Sequence, residues 1–313
     1  MRHRSTIFHL RNINNWIKTA LIEHAISNYH VTLFNKQSVR AIDFGCGKGG
    51  DLDKWVKNKS SDLETYVGVD YAKSSLEDFA GRVASMAAYN PTAAAKVKML
   101  VFADMGNIKE NINSSQFETY SPATKLWSKS VPCPVEKKEK FTIASCQFAM
   151  HYMFQDESRA NHFFRQVSSN LELNGVLIAT TVDSRVVADQ AVKVDSESDP
   201  SKERDYKKNL SVYADSENKG DDSSSSQPSL MMNLHFDDNN WSRLLNTEDS
   251  NNNSAFGIRY VFTLKDAVDV PEWLVPTGGP LRDLAAAHGL EVVMCQNFHD
   301  FVHDKMTTDI SLR

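Results

Sequence analysis

Residues 39–55 read Val-Arg-Ala-Ile-Asp-Phe-Gly-Cys-Gly-Lys-Gly-Gly-Asp-Leu-Asp-Lys-Trp, and residues 66–70 read Tyr-Val-Gly-Val-Asp. Residues 39–44 and 66–69 are short apolar runs rich in β-forming residues, so each predicts a buried strand. Asp70, at the end of the second strand, is placed to bind ribose hydroxyls. Between the strands, three glycines fit the G-x-G-x-x-G spacing of a strand-to-helix turn, where a ligand approaches bare backbone; they are Gly45, Gly47 and Gly50. Strand, glycine turn, helix and acid in this order predict a nucleoside-binding site.

The charge of the helix after the glycines helps to choose between nucleoside ligands. A dinucleotide such as NAD places its pyrophosphate at a helix N-terminus, where free N–H groups and the helix dipole attract an anion. Here the first helical turn carries Asp51 and Asp53, which would repel a pyrophosphate, although acidic residues are also common helix starters. S-adenosylmethionine has ribose and adenine, no phosphate and a cationic sulfonium. An acidic, glycine-rich pocket therefore favours S-adenosylmethionine over NAD.

The composition is that of an ordinary globular protein. The chain has 313 residues, is 41% hydrophobic and carries a formal net charge of −5, so it lacks the basic balance that binds long stretches of nucleic acid. Its four cysteines show no C-x-x-C and no metal-ligand spacing, which predicts a reducing compartment and no metal site. Neither a membrane-length apolar run nor a signal peptide is present in the sequence, so we expect an intracellular soluble protein.

Strand and helix patterns alternate along the chain, which predicts a doubly wound α/β fold in one domain over 1–313. Beyond the opening stretch, further strands are predicted at 96–103, 140–148, 176–182, 256–264 and, antiparallel and C-terminal, at 290–297. Helices are predicted at 76–89, 159–171 and 281–288, after an N-terminal helix that packs through Ile13, Trp16, Ile17, Ala20 and Leu21. Two loops are predicted, a polar surface loop at 106–140 and an apolar loop at 268–276. The Ser-, Asn- and Asp-rich segment 185–254 predicts a flexible insert with one short strand at 230–236.

Several polar side chains fall where such a fold binds ligands. Asp104 follows the strand predicted at 96–103, and Gln147, His151 and Tyr152 lie at the end of the next one. In an open α/β sheet, ligands and catalytic groups gather at this edge. A histidine beside aromatic residues is equally well explained as a packed side chain, so position alone leaves both interpretations of His151 open.

Four stretches together resemble the eukaryotic mRNA cap guanine-N7 methyltransferases. They read Leu-Arg-Asn-Ile-Asn-Asn-Trp-Ile-Lys (10–18), Ile-Asp-Phe-Gly-Cys-Gly-Lys-Gly-Gly-Asp-Leu (42–52), Ser-Cys-Gln-Phe-Ala-Met-His-Tyr (145–152), and Phe-Gly-Ile-Arg-Tyr (256–260) through Val-Asp-Val-Pro-Glu-Trp-Leu-Val (268–275). Many methyltransferases share the glycine motif. The Asn-Asn-Trp-x-Lys helix, the Lys-Gly-Gly-Asp loop and the Val-Pro-Glu element are far more specific to this family.

The resemblance implies a class I methyltransferase fold and transfer of a methyl group from S-adenosylmethionine to N7 of the terminal guanine of GpppN-RNA. It implies that the cofactor is held by Lys18, Gly45, Asp70, Asp104, Gln147 and Tyr152, with Asp70 on its ribose. It assigns Asn14 to the cap guanosine, Lys48, Lys54 and Arg82 to the triphosphate with Asp51 beside them, and His151, Tyr152 and Glu272 to the guanine. Glu272 is the most informative, because its carboxylate can accept from guanine N1–H and the exocyclic amine, a donor pair that adenine lacks.

N7 of guanine is an in-plane lone pair that reacts without losing a proton, so no general base is expected. Aligning N7, the methyl carbon and the sulfur in line can contribute about 7–11 kcal/mol of rate enhancement. Positive charge moves from sulfur to the guanine during transfer, so Glu272 would stabilise the methylated ring more than the substrate.

Two features depart from the family. A tyrosine near the C-terminus usually closes over the cap, and our alignment places Val302 there, with Phe301 or His303 as alternatives. The family's accessory lobe after the fifth strand is replaced or elongated here by the polar segment 185–254.

The resemblance also implies partners and a location. The partners would be the 5′ end of GpppN-capped RNA and RNA polymerase II or the capping machinery, with no membrane and no DNA, and the location would be the nucleus. Three alternatives stay open. A small-molecule methyltransferase would share the cofactor half but need no basic cluster, a non-catalytic scaffold would be expected to have lost residues such as Asp70 and Asp104, and a cap-binding module would need no cofactor pocket.

Overall fold

The computed structural model describes residues 7–30, 38–133, 140–196, 208–213, 230–245, 255–265 and 267–308. The chain divides into two compact units. The large unit combines Trp16–Thr181 with Arg282–Arg313, and the small unit combines Met1–Asn15 with Val182–Leu281. Whether the whole chain acts as the single predicted domain stays a prediction.

A mostly parallel sheet forms the large unit. Its seven strands lie in the order β5-β4-β3-β2-β1-β6-β7, and they are Ser38–Phe44 (β1), Asp62–Asp70 (β2), Val97–Phe102 (β3), Phe117–Ser121 (β4), Leu126–Ser130 (β5), Phe141–Gln147 (β6) and Leu171–Thr180 (β7). Strands β1, β2, β3, β6 and β7 pair in parallel, whereas β4 and β5 are antiparallel. The order reverses at β1, which lies between β2 and β6, so ligand binding is expected beyond the carboxyl ends of these strands. The predicted α/β class is confirmed.

Nine α-helices are assigned in the described residues. They are Phe8–Ala25 (α1), Leu52–Val56 (α2), Lys73–Tyr89 (α3), Pro91–Ala94 (α4), Glu157–Asn170 (α5), Ser184–Ser196 (α6), Asp238–Leu245 (α7), Gly279–Ala287 (α8) and Phe298–Thr308 (α9). Helix α5 begins where the Asp156 side chain accepts the Arg159 N–H at 2.9 Å, a typical N-cap. None of these helices is long and apolar enough to cross a membrane.

The N-terminal helix keeps most of its predicted packed face. Ile17, Ala20 and Leu21 are buried and Trp16 packs against the core of the large unit. The prediction is wrong for Ile13, whose side chain is 52% exposed. Helical periodicity identifies which face of a helix is apolar, but it does not say how far along the helix the core extends.

The core beneath the sheet encloses one acid. Trp55, Tyr66 and Phe79 are fully buried large side chains of this core. The Tyr66 hydroxyl donates to Asp43 Oδ2 at 2.6 Å, and Asp43, the second-to-last residue of β1, is itself buried. A buried carboxyl group therefore lies at the end of the strand that leads into the glycine loop.

The loop predicted at 106–140 contains a hairpin, so the loop prediction is wrong for β4 and β5. Tyr120 pairs with Trp127 across the two strands, with their rings 5.5 Å apart. Proline punctuation suggested a loop, but Pro122 lies in the turn that joins the strands, where it does not interrupt the ladder. Residues 134–139 of this segment lie outside the described residues.

The C-terminal strand predicted at 290–297 is not formed. Those residues carry no strand assignment, and one carbonyl, that of Val292, accepts from the Arg282 guanidinium at 2.9 Å. Alternation of apolar residues predicts an extended backbone but does not specify a partner strand. The antiparallel strands of this sheet are instead β4 and β5, which lie at the edge opposite to β7.

The small unit contains an antiparallel sheet in the order β11-β10-β9-β8. Its strands are Asn209–Tyr213 (β8), Leu230–His235 (β9), Arg259–Leu264 (β10) and Val268–Trp273 (β11). The strands predicted at 230–236 and 256–264 are confirmed, whereas the apolar loop predicted at 268–276 is wrong over β11. Pro271 is tolerated there because β11 is an edge strand. Between 185 and 254 the described parts form α6, β8, β9 and α7, and the low-complexity runs at 223–228 and 250–254 lie outside the described residues.

Candidate functional site

The loop after β1 depends on glycines at three positions. Gly45, Gly47 and Gly49 have φ angles of +74°, +52° and +70°, a region that other residues rarely adopt. A Cβ on Gly45 would lie 2.3 Å from Ala149 Cβ, and one on Gly49 would lie 2.3 Å from the Phe79 ring. The loops after β1 and β6 thus touch at the point where the strand order reverses.

Gly50, the third glycine of the G-x-G-x-x-G spacing, lies in open space. A Cβ on Gly50 would meet nothing within 4 Å, and Gly50 does not have a positive φ. Close packing between the loop and helix α3 instead requires Gly49, which faces Phe79. The sequence has adjacent glycines here, and the motif spacing does not indicate that Gly49 is the one required for packing.

Asp70 ties the glycine loop to the end of β2. Its Oδ2 accepts the Gly47 N–H at 2.7 Å and its Oδ1 accepts the Ala72 N–H at 2.7 Å. Each carboxylate oxygen has a second lone pair that can accept another hydrogen bond, and the side chain is half-buried. The geometry suits a carboxylate that accepts ligand hydroxyls beside a bare backbone loop.

Asp104, after β3, is held by an arginine that sequence reasoning missed. Arg159 Nη2 lies 2.8 and 3.0 Å from the two carboxylate oxygens, and the Gly106 N–H donates to Oδ1 at 2.9 Å. A Cβ on Gly106 would lie 2.6 Å from the guanidinium, so the absence of a side chain there makes room for Arg159. A strand-end acid followed closely by glycine was the available signal, but nothing in the sequence identified its partner 55 residues away.

Three residues that were assigned to different ligands form one ion-pair cluster. Lys18 Nζ lies 2.7 Å from Asp51 Oδ1 and donates to Oδ2 at 2.9 Å, and Lys54 Nζ lies 2.8 Å from Oδ1. All three side chains are largely shielded from solvent. Lys18 Nζ also lies 6.0 Å from the centre of the Phe148 ring. The structure therefore brings Lys18, Asp51 and Lys54 together.

The other two predicted phosphate-facing cations are exposed on the surface. Lys48 Nζ lies 2.7 Å from Asp78 Oδ2 on helix α3, with both side chains largely exposed. Arg82 is exposed one helical turn after Asp78, a spacing that places the two side chains on the same helix face. Lys48 is thus paired with Asp78, and Arg82 lies on the same face of α3 as that acid, whereas Lys54 is shielded from solvent.

The chain after β6 adopts a strained turn. Phe148 has a φ of +55°, which is rare for an aromatic residue and often marks a functional site. Its N–H donates to both the backbone and side-chain oxygens of Thr180, at 3.1 and 3.0 Å. The neighbouring Gln147 is buried, and its Oε1 accepts from the Thr180 hydroxyl at 3.2 Å. Sequence reasoning singled out Gln147 but not Phe148.

His151 and Tyr152 lie in the 3₁₀ helix Met150–Gln155 that follows this turn. Their ring centres are 4.2 Å apart. His151 is only 4% exposed, and burial lowers its pKa to about 4, so the imidazole is neutral at pH 7. Tyr152 remains partly exposed. A neutral, buried ring beside an accessible tyrosine can bind a planar ligand without adding positive charge.

Glu272 lies in the small unit, on strand β11. It pairs with Tyr260 of β10, whose hydroxyl donates to Glu272 Oε2 at 2.8 Å. Burial raises the pKa of Glu272 to about 7, and the Tyr260 hydroxyl opposes that rise. The carboxylate is thus poised between its two protonation states near neutral pH.

The remaining predicted residues occupy two helices. Asn14 is half-buried on α1. Of the three candidates to replace the family's closing tyrosine, Phe301 is buried in the core, Val302 packs against it, and His303 is exposed. All three lie on α9, and His303 is the most exposed of them, since Val302 is half-buried and Phe301 is buried.

Comparison with known proteins identifies similar chains. A family model described as the mRNA (guanine-N(7))-methyltransferase domain matches residues 1–206 and 235–312. Proteins named mRNA cap guanine-N(7) methyltransferase 1 from Arabidopsis thaliana and Oryza sativa subsp. japonica are 31% and 29% identical over 97% of this chain. The chain spans 65% and 64% of their respective lengths. A crystal structure of a S-adenosylmethionine-dependent methyltransferase from Clostridium acetobutylicum aligns with a TM-score of 0.48 and 12% identity, over 90% of this chain and 82% of that one.

Proposed function

Because the chain belongs to the mRNA (guanine-N7)-methyltransferase family, we propose that it methylates N7 of the terminal guanine of the 5′ GpppN cap of RNA. The methyl donor is S-adenosylmethionine, and the products are m7GpppN-RNA and S-adenosylhomocysteine. The observation that carries the proposal is the junction of β1 and β2, where Asp70 accepts the Gly47 N–H of a bare, left-handed glycine loop. A loop of this kind with an acid at its edge fits a ribose and an adenine.

The cofactor is proposed to bind through the residues around this junction, which are Lys18, Gly45, Asp70, Asp104, Gln147 and Tyr152. Asp70 accepts the ribose hydroxyls, and Asp104, held by Arg159, accepts from an amine of the adenine. Lys18 attracts the methionine carboxylate. When bound, S-adenosylmethionine supplies an electrophilic methyl group on a positively charged sulfur.

The cap guanine is proposed to bind through Asn14, His151, Tyr152 and Glu272. The ionised Glu272 carboxylate accepts from N1–H and the exocyclic amine, which selects guanine over adenine. Since burial keeps His151 neutral, it does not repel the positive charge that develops on the guanine.

The cap triphosphate is proposed to bind through Lys48, Lys54 and Arg82, with Asp51 beside them. The ion pairs of Lys48 with Asp78 and of Lys54 with Asp51 hold two of these cations in place before the anion arrives. Phosphate oxygens then compete with the carboxylates for the same ammonium groups.

Transfer needs no general base, because N7 carries no proton. The residues of this chain act by holding N7 in line with the methyl carbon and the sulfur, which can contribute about 7–11 kcal/mol. Glu272 stabilises the positive charge on the guanine as it forms.

A methyl-transfer assay with labelled S-adenosylmethionine tests the proposal. The substrates are GpppG-RNA, GpppA-RNA, pre-methylated m7GpppG-RNA and uncapped pppRNA. Label on the first two alone, mapped to N7, is the expected result. Label on none of them, with the cofactor still bound, would instead point to a small-molecule substrate and refute cap methylation.

The cellular setting follows from the family role. We propose that the protein acts in the nucleus and associates there with RNA polymerase II or the capping machinery. Fractionation and co-purification from nuclear extract test this, and recovery from the cytoplasm alone would contradict it.

A further inference from the structure

Tyr260 and Glu272 form a buried pair in the small unit. They face each other in the β10–β11 register, and the tyrosine hydroxyl donates to Glu272 Oε2 at 2.8 Å. Tyr260 is 1% exposed and Glu272 is 5% exposed. Their hydrogen bond is therefore shielded from competing water.

We propose that Tyr260 is a positioning residue that orients the Glu272 carboxylate and keeps it ionised for guanine recognition. The inference rests on the proposed role of Glu272 at the cap guanine. Tyr260 itself does not touch the guanine. It acts on the charge and the orientation of the Glu272 carboxylate, which guanine recognition requires.

Orientation follows from how Tyr260 is packed. Its ring lies 5.6 Å from that of Phe236, within a core that also contains Trp241, Ile258 and Leu274. A tyrosine held in this way keeps its hydroxyl in one place. Because that hydroxyl binds Oε2, rotation of the carboxylate would break the hydrogen bond, so the direction of Oε1 is fixed as well.

Ionisation follows from the balance of two effects. Burial favours the neutral acid and raises the pKa of Glu272, whereas a donor to the carboxylate favours the charged form and lowers it. A protonated Glu272 would present a hydroxyl to the guanine N1–H, two donors facing each other. Removing the tyrosine hydroxyl therefore lowers the fraction of Glu272 that is ionised at pH 7 and able to accept from guanine.

Other titratable groups lie around the pair in the small unit. The described charged or titratable side chains on the surrounding elements and the residues next to them are Asp183, Arg185, Asp189, Lys193, Lys208, Tyr213, His235, Asp237, Asp238, Arg243, Arg259, Lys265 and Asp269. Several are engaged elsewhere, as in the bonds of Arg185 to Asp183 and of Arg243 to the backbone of Phe256. The pKa of Glu272 is shifted by burial and by Tyr260.

The test compares Tyr260→Phe with a matched control. Phenylalanine keeps the ring and its packing and removes only the hydroxyl. Tyr213→Phe removes a hydroxyl from the exposed strand β8 of the same sheet and serves as the control. The measurements are kcat/KM for GpppG-RNA between about pH 6 and pH 9, and the titration of Glu272 in the RNA-free protein by infrared difference spectroscopy, assigned with Glu272→Gln.

We expect Tyr260→Phe to move the acidic limb of the pH profile upward by about one pH unit, which lowers kcat/KM at pH 7 about five-fold and restores it near pH 9. Affinity for S-adenosylmethionine stays unchanged, and Tyr213→Phe behaves as the original protein. Loss of orientation adds a decrease that is the same at every pH, so the shift of the acidic limb is the deciding result, and an unshifted profile would overturn the inference.

The two proposals fail in different ways. If the original protein does not methylate capped RNA at any pH, the proposed function is wrong, and the infrared titration still decides whether Tyr260 keeps Glu272 ionised. If the original protein methylates caps but Tyr260→Phe leaves the Glu272 titration unchanged, the function stands and the role of Tyr260 is wrong.

Discussion

Substitutions of single side chains distinguish cofactor binding from cap recognition. We expect Glu272→Ala to lower kcat/KM for GpppG-RNA by roughly 10- to 100-fold, the loss expected for hydrogen bonds to a charged group, with unchanged affinity for S-adenosylmethionine. Asp70→Ala should abolish cofactor binding, because the ribose hydroxyls lose their acceptor and the Gly47 and Ala72 N–H groups lose theirs as well. Calorimetry with the cofactor and steady-state kinetics with the RNA measure the two effects. Normal methylation by the first variant, or normal cofactor affinity in the second, contradicts the assignments.

Asp43 makes stability depend on pH. Burial and the nearby Asp51 raise its pKa from 3.8 to about 7, and the Tyr66 hydroxyl opposes them. The folded state holds this proton more tightly than the unfolded chain, so the contribution to stability is present at low pH and is lost as pH rises from about 4 to about 7. Asparagine can still accept from Tyr66 and has no proton to lose.

We therefore expect Asp43→Asn to gain stability relative to the original protein as pH rises, by up to about 4 kcal/mol. Urea unfolding of both proteins at about pH 4.5 and pH 8 measures the difference. The same pH dependence in both proteins would show that Asp43 is not the group responsible.

Among single residues, the sequence predicted the acidic residues of the site better than the side chains that contact them. Asp70 and Asp104 were found because each follows a buried strand, a local signal. Arg159 and Tyr260 were missed because each contacts its acid through the tertiary fold, and nothing local in the chain marks such a contact. Whether the predicted residues bind the proposed ligands remains a prediction.

Between elements, the contact of the loops after β1 and β6 gives a sharp test. We expect Gly45→Ala to lower the free energy of unfolding by about 2–4 kcal/mol, because its φ of +74° disfavours alanine and its Cβ would overlap Ala149. Gly50→Ala is the matched control, since no atom lies within 4 Å of its added Cβ. Denaturant unfolding measures both. Equal stability of the two variants would mean that the loops do not touch.

The acids at the start of α2 are paired with cations. The acidic first turn of α2 was expected to repel a pyrophosphate, which assumes uncompensated charge. Asp51 is paired with Lys18 and Lys54, and Asp53 lies 2.8 Å from Lys57. These cations are Lys18 from α1 together with Lys54 in α2 and Lys57 directly after it, so the acids do not by themselves exclude a dinucleotide. The family carries the choice of S-adenosylmethionine instead.

For the whole molecule, net charge limits how RNA is held. With a net charge of −5, the protein should contact little beyond the cap triphosphate. We expect the logarithm of its affinity for capped RNA to fall with the logarithm of salt concentration with a slope of about −2, as for roughly three phosphates. Fluorescence anisotropy over a salt series measures the slope. A slope steeper than about −4 would indicate extended contacts along the RNA.

Fold class and family were accessible from the sequence of the whole molecule. The strand and helix pattern gave the mostly parallel sheet, and the family is confirmed by the match over 1–206 and 235–312. Segments with mixed composition were harder. Strand β11 contains a proline and alternates too briefly to be distinguished from a loop, and its pairing with β10 is set by contacts across the sheet.

The contact between Gly45 and Ala149 has a consequence for the evolution of the sequence. Two positions more than a hundred residues apart share one small volume, because a Cβ at position 45 would lie 2.3 Å from the Cβ of Ala149. Position 45 can therefore gain a side chain only if position 149 loses its own and the backbone leaves its φ of +74°. Lineages derived from this chain should therefore keep Gly45, and any lineage that gains a side chain at position 45 should carry glycine at position 149. The contact between the two loops would then be visible among related sequences as a paired substitution at positions 45 and 149.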